Sequence, residues 1–181
     1  MQNLQSKENL VWIDLEMTGL DVDECYIIEI ATIITNKNLD IIAESEPIAI
    51  YHPDHILVNM NEWCIKTHAE NGLTKRVRES KTSLEQAQEQ TLAFIKEYVP
   101  YQSSPLCGNS IWQDRRFLGK YMPQIDDYCH YRVLDVTSIK LLNDYWGGKE
   151  TYHKQNTHKA LDDIRESIGE LKFYKEKIFC I

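Results

Sequence analysis

The sequence has no apolar run near the roughly 20 residues that a membrane span needs. Its first ten residues, MQNLQSKENL, carry no apolar signal stretch. Neither a membrane partner nor an exported protein is expected. The cysteines are few and badly spaced for bridges or zinc: Cys25, Cys64, Cys107, Cys129 and Cys180 form an odd, scattered set with no CxxC. That suits reduced thiols in a cytoplasm rather than a disulfide framework. No repeat, linker or low-complexity tract is visible, so residues 1–181 read as one domain, within the usual single-domain size. Basic residues are also scarce. Lys and Arg number 20 against 28 Asp and Glu, for a net charge of −8. The imbalance is local, because residues 1–60 hold 11 acids and two bases, Lys7 and Lys37. At first sight this argues against nucleic acid as a partner, since polyanion binders usually carry a basic face.

What is present is a foldable α/β pattern. Hydrophobic residues make up 43% of the chain, enough for a real core. Residues 10–17 (LVWIDLEM) and 26–35 (YIIEIATIIT) read as strands, joined by a turn-like link, as in an antiparallel meander. Residues 39–51 read as a third strand, bulged around Glu44–Pro47, and a polar, irregular stretch follows from His52 to Ser80. Ser83 and Gln86 have capping-box spacing, so a helix is predicted from there to Pro100. A short strand over Pro105–Asn109, a helix over Gln113–Tyr121 closed by Pro123, and a strand over Tyr131–Val136 come next. After a helix over Thr137–Tyr145 and a loop over Gly147–Gln155, a long helix runs from Thr157 to Ile178. Its apolar stripe is Leu161, Ile164, Ile168 and Leu171.

The carboxylates stand out against this background. Asp14 and Glu16 lie two apart in a strand, so they project from one face between apolar neighbours. Two crowded carboxylates repel, and either a proton or a cation relieves them. Oxygen donors of this kind suit Mg²⁺ or Mn²⁺. Asp114 falls in the first turn of a predicted helix, where the dipole favours an anion. His158 opens the last helix, with Asp162 and Asp163 just inside it. Helical periodicity does not choose between those two acids. Four carboxylates could hold two cations, and two metals about 3.5–4 Å apart can clamp an in-line phosphoryl displacement. A histidine with a pKa near 6.5 can take the proton of the attacking water.

The segments WIDLEMTGLD, CGNSIWQDRRF, YRVLDV and HKALDDIRESI together resemble the oligoribonuclease family of DEDDh 3′–5′ exonucleases, from about Leu10 to Tyr174. The resemblance implies a ribonuclease H-like fold with a mixed five-stranded sheet flanked by helices. It also implies a homodimeric exoribonuclease with two Mg²⁺ or Mn²⁺ per site. Its substrates would be very short RNA and linear dinucleotides, and its products nucleoside 5′-monophosphates. By motif, Asp14, Glu16, Asp114 and Asp163 match the metal-binding acids and His158 the general base. The family's His-to-Asp spacing selects Asp163. Leu20 resembles an apolar wedge against a base, and Trp63 and His68 resemble the platform for the 3′ base. Tyr131 resembles a residue that reaches across the dimer. Ser110, Arg132 and Thr137 resemble a cap on the 5′ phosphate.

Two features depart from the family pattern. Trp112 stands where glycine is usual, and the loop before His158 is shorter than is common. The resemblance also changes the meaning of the charge. An acidic surface opposes long RNA, which needs many Lys and Arg contacts to phosphate. It does not oppose a substrate with one or two phosphates.

Overall fold

The computed structural model describes residues 4–146, 148, 150–154 and 158–178. Six strands form one mixed sheet: β1 (Leu10–Met17), β2 (Ile27–Thr35), β3 (Ile41–Glu44), β4 (Ile48–Ala49), β5 (Leu106–Gly108) and β6 (Val133–Asp135). Among the described residues eight helices accompany them: α1 (Asp54–Leu57), α2 (Glu62–Glu70), α3 (Leu73–Glu79), α4 (Leu84–Tyr98), α5 (Ile111–Tyr121), α6 (Pro123–Tyr128), α7 (Val136–Tyr145) and α8 (Ala160–Ile178). The strand order is β3-β2-β1-β5-β6, with β4 also paired to β2. β1 runs antiparallel to β2 and parallel to β5, and β5 runs parallel to β6.

The expected five-stranded path is present, and the sixth strand comes from a break. The third predicted strand divides at Ser45–Pro47 into β3 and β4, both antiparallel to β2. Pro47 has no N–H to give to a ladder. Ser45 covers the gap, its backbone N–H donating to Thr32 and its hydroxyl accepting from Thr32. The polar stretch from His52 to Ser80 is not irregular but folds into α1, α2 and α3. These helices are four, nine and seven residues long, too short for a periodic signal. Asn61 caps α2 by accepting the N–H of Cys64 at 2.8 Å. Pro123 does close α5, but it also opens α6 as its first residue. The capping box of Ser83 and Gln86 is formed. The last helix is described from Ala160, and Thr157, Gly147, Gln155 and Cys180 lie outside the described residues.

Strand alternation sorts β1 between two cores. Val11, Ile13 and Leu15 face a layer that includes Ile95 of α4, Phe117 of α5 and Ile125 of α6. Trp12 faces the opposite layer, where it meets Ile164, Ile168 and Leu171 of α8. Asp14 and Glu16 share the parity of Trp12, so the apolar stripe of α8 docks that helix over the face bearing both acids. A third cluster seats α1, α2 and α3 against Ile28 of β2 through Leu57, Met60, Cys64, Leu73 and Val77.

Candidate active site

Asp14 and Glu16 of β1 meet Asp163 of α8 with one carboxylate oxygen from each, all within 4.8 Å of one another. The structure thus separates the two acids that helical periodicity left open. Asp162 turns outward and pairs with Arg165 at 3.0 Å, while Asp163 turns in. Asp114 lies beside this trio rather than within it. It is buried at the start of α5, and its Oδ1 accepts the N–H of Leu15 at 3.0 Å.

Crowding in a partly dry place raises these carboxyls. Burial, then the charges of Asp114, Glu16 and Asp163, push Asp14 well above the usual carboxylate range. Burial and the charge of Asp163 push Glu16 up to about 8. Burial takes Asp114 to about 7 against the opposing pull of the Leu15 N–H. Asp163 rises to about 6, mainly by burial, with His158 and Lys154 opposing. Oxygen-only donors that repel one another suit a hard divalent cation.

The other expected residues fall into two groups. His158 precedes α8, and its ring meets Trp63 edge-on at 5.3 Å between centroids. Trp63 also meets His68 edge-on at 6.5 Å. Trp63 and Leu20 are 58% and 70% exposed. With Glu16, Met17 and His68 they line a cleft of about 560 Å³ that opens beside the carboxylates. His68 is itself 1% exposed, and its Nε2–H donates to the Met17 carbonyl at 3.1 Å. Burial lowers its pKa, so its approach to Glu16 at 3.9 Å is made by a neutral ring and is not an ion pair.

The second group gathers at the N-termini of α5 and α7. Ser110 occupies the position before α5 with a φ of +50°, and its N–H donates to Asp135 at 2.9 Å and to Thr137 at 3.0 Å. The Ser110 and Thr137 hydroxyls lie 3.3 Å apart. Tyr131 is 73% exposed, with the guanidinium of Arg132 over its ring at 5.4 Å. Trp112 is also exposed, with Arg116 over its ring at 5.8 Å. It therefore extends the surface of α5.

Several supporting residues were not anticipated. Arg115 holds the segment that carries Tyr131 and Arg132. Its Nη1 donates to the carbonyls of His130 and Tyr131 at 2.9 Å, and its Nε lies 2.8 Å from Asp126. Gln113 donates to the carbonyl of Leu20 and ties the wedge to α5. Asn109 ties the second group to α8: its Oδ1 accepts from Thr137 at 3.1 Å, and its Nδ2 donates to Ser167 at 2.7 Å. Arg115 and Gln113 flank Asp114 in QDRR, which was the available signal. Asn109 carried none beyond its place in a turn.

A mixed sheet with four acids converging at one end, flanked by α8, defines a nuclease of the ribonuclease H-like class. A family model described as an exonuclease matches residues 11–171. The chain belongs to this exonuclease family, and within it to the oligoribonucleases. An oligoribonuclease of Francisella tularensis subsp. tularensis is 72% identical over 178 residues, covering 98% of this chain and 100% of the relative. One from Haemophilus influenzae is 57% identical over 172 residues, covering 94% of each. Among solved structures, exonuclease I of Methylocaldum szegediense aligns over 94% of this chain with a TM-score of 0.71 at 15% identity. Exonuclease I of E. coli, solved with an oligonucleotide, aligns over 96% with a TM-score of 0.74 at 14% identity. The chain spans 41% and 42% of those longer proteins, which share its fold. The protein is a 3′–5′ exonuclease.

Proposed function

We propose that this protein degrades very short RNA, dinucleotides above all, to nucleoside 5′-monophosphates. The observation that carries the reading is the meeting of Asp14, Glu16 and Asp163 within 4.8 Å beside a half-exposed aromatic cleft. Asp14, Glu16, Asp114 and Asp163 would hold two Mg²⁺ or Mn²⁺ ions, which when bound acidify a water and offset charge on the leaving oxygen. His158 takes the proton of the attacking water. The water oxygen bonds to phosphorus, the bond to the preceding 3′ oxygen breaks, and that oxygen acquires a proton from solvent. Leu20 and Trp63 hold the 3′ base between them, with His68 bracing the platform. Base–aromatic stacking contributes about 1–3 kcal/mol per base and tolerates any base.

Ser110, Thr137 and Arg132 cap the 5′ phosphate, and the guanidinium suits a bidentate contact. A closed cap leaves no path for a longer chain, which accounts for the short substrate. Tyr131 stands out from the surface and would reach the 5′ base across a homodimer. The free thiols of Cys25, Cys64, Cys107 and Cys129 support a cytoplasmic location.

The test is a length series from dinucleotide to decanucleotide with Mg²⁺ and with Mn²⁺, using wild type and Asp14→Ala. The dinucleotide should be cleaved fastest and Asp14→Ala should be inactive. Rates that rise with length would overturn the short-substrate reading, and hydrolysis without metal would overturn the site.

A further inference from the structure

Two polar anchors hold the chain at His158 and four positions before it. The first is Asn71, at the end of α2. Its Oδ1 accepts the N–H of Leu73 at 2.9 Å, and its Nδ2 donates to the carbonyl of His158. His158 holds a φ of +51°, a left-handed conformation that a non-glycine residue keeps only when its surroundings impose it. The second anchor lies four residues upstream. Lys154 Nζ is 3.0 Å from Oε2 of Glu170, which is 1% exposed on α8. The same oxygen accepts Asn109 Nδ2 at 3.1 Å. A buried carboxylate stripped of its counter-charge is strongly unfavourable, so Glu170 holds Lys154 in place. The two anchors belong to different packing units, since Asn71 sits with α2 and α3 and Glu170 with α8. None of Asn71, Lys154 and Glu170 belongs to the carboxylate trio, and no step proposed above uses them.

We propose that Asn71 and the Lys154–Glu170 pair are positioning residues for His158. Asn71 holds its carbonyl and the pair holds the chain four positions before it, so that the imidazole is presented to the attacking water. The inference rests on His158 being the general base. A base must lie within hydrogen-bond reach of the proton it takes, so a loosened segment should slow turnover. Substrate binding should change less than turnover, because Leu20 is tied to α5 through Gln113 and Ser110 is tied to Asp135.

Three substitutions separate this role from a general stabilising one. Asn71→Asp keeps the acceptor for the Leu73 N–H and removes the donor to His158. Lys154→Met keeps the apolar stem and removes the charge, and Glu170→Gln removes the opposite charge. Asn71→Asp, Lys154→Met and Glu170→Gln should each lower kcat on a dinucleotide by about tenfold or more, with a smaller change in KM. Amide hydrogen exchange in the peptide containing His158 should speed up in all three. Lys154→Arg should restore most of the loss in kcat. In a His158→Ala background Asn71→Asp should cost no further activity, because the group it positions is gone. The proposal is overturned by unchanged kcat, by a parallel rise in KM, or by an equal further loss in the His158→Ala background. If wild type cleaves no dinucleotide, the functional reading falls instead. The exchange comparison then decides alone: unchanged exchange at His158 overturns the anchors, and faster exchange supports them.

Discussion

His158 and Trp63 form the most directly testable pair of side chains. His158→Ala should lower kcat on a dinucleotide by roughly 10²–10⁴, the usual size of a general-base contribution. Undiminished turnover under saturating Mn²⁺ would remove the assignment. Trp63→Ala should act on binding instead, raising KM by about 5- to 150-fold, the equivalent of a lost stacking energy of about 1–3 kcal/mol. A steady-state comparison on two dinucleotides of different base checks this, and the rise should be similar for both. At this scale the sequence was informative where chemistry and parity coincide. Asp14 and Glu16 share a strand face because side chains alternate, and no fold is needed to see it. Asp163 over Asp162 was not readable from the helix itself. Both acids lie in the first turn of α8, and only the docking of that helix turns one inward and leaves the other to Arg165. Asn71 and Glu170 gave no signal, because a helix-ending Asn before Gly and a Glu in a charged helix are ordinary surface patterns.

Among the elements, β2 and α8 build the site without contributing most of its chemistry. All nine residues of β2 are buried, which makes it the spine that β1, β3 and β4 pair with. Ile168 of α8 is buried against the layer that holds Trp12, Ala31 and Ile33. Ile168→Ala should therefore destabilise the fold by about 2–5 kcal/mol, the usual cost of a large-to-small core change. Urea denaturation measures it, and an unchanged midpoint would mean that α8 is not docked as described. The long elements were legible because burial stamps a period on many residues. The ends of the 131–136 strand were over-read, since only Val133–Asp135 pairs with β5. The helices between His52 and Ser80 were missed because each spans too few turns for a period to emerge, and they are held by the cluster beneath them.

Electrostatics sets the prediction for the whole molecule. Glu16, Asp114 and Asp163 have carboxyls raised to about 8, 7 and 6. An acid whose pKa is higher folded than unfolded binds more protons in the folded state across that interval. Stability then falls as pH rises through it. The metal-free protein should thus melt at progressively lower temperature as pH rises from about 5 to about 8. A cation relieves the same repulsion, so Mn²⁺ should raise the melting temperature more at the upper end of that range than at the lower. Thermal melts with and without a chelator across pH check both signs. A metal-free melting temperature that rises with pH would contradict the crowding described here. The first 60 residues of the chain are acidic. Asp14 and Glu16 contribute to that charge, and a substrate bearing one or two phosphates does not require the broad basic surface that long RNA would.

The sequence alone determined the alternation of β1, the stripe of α8, the long elements and, through motif resemblance, the family. These are properties of neighbours along the chain, repeated often enough to be read. Motif spacing selected Asp163, and tertiary structure decided that it faces inward while Asp162 meets Arg165, that Asp114 stands beside the trio, that Asn71 meets the His158 carbonyl and that Glu170 meets Lys154. Those outcomes depend on contacts between residues far apart in the chain. Asn71 lies 87 positions from His158 and Asn109 lies 61 from Glu170, so no local pattern records them. Their geometry exists only once the helices have docked on the sheet.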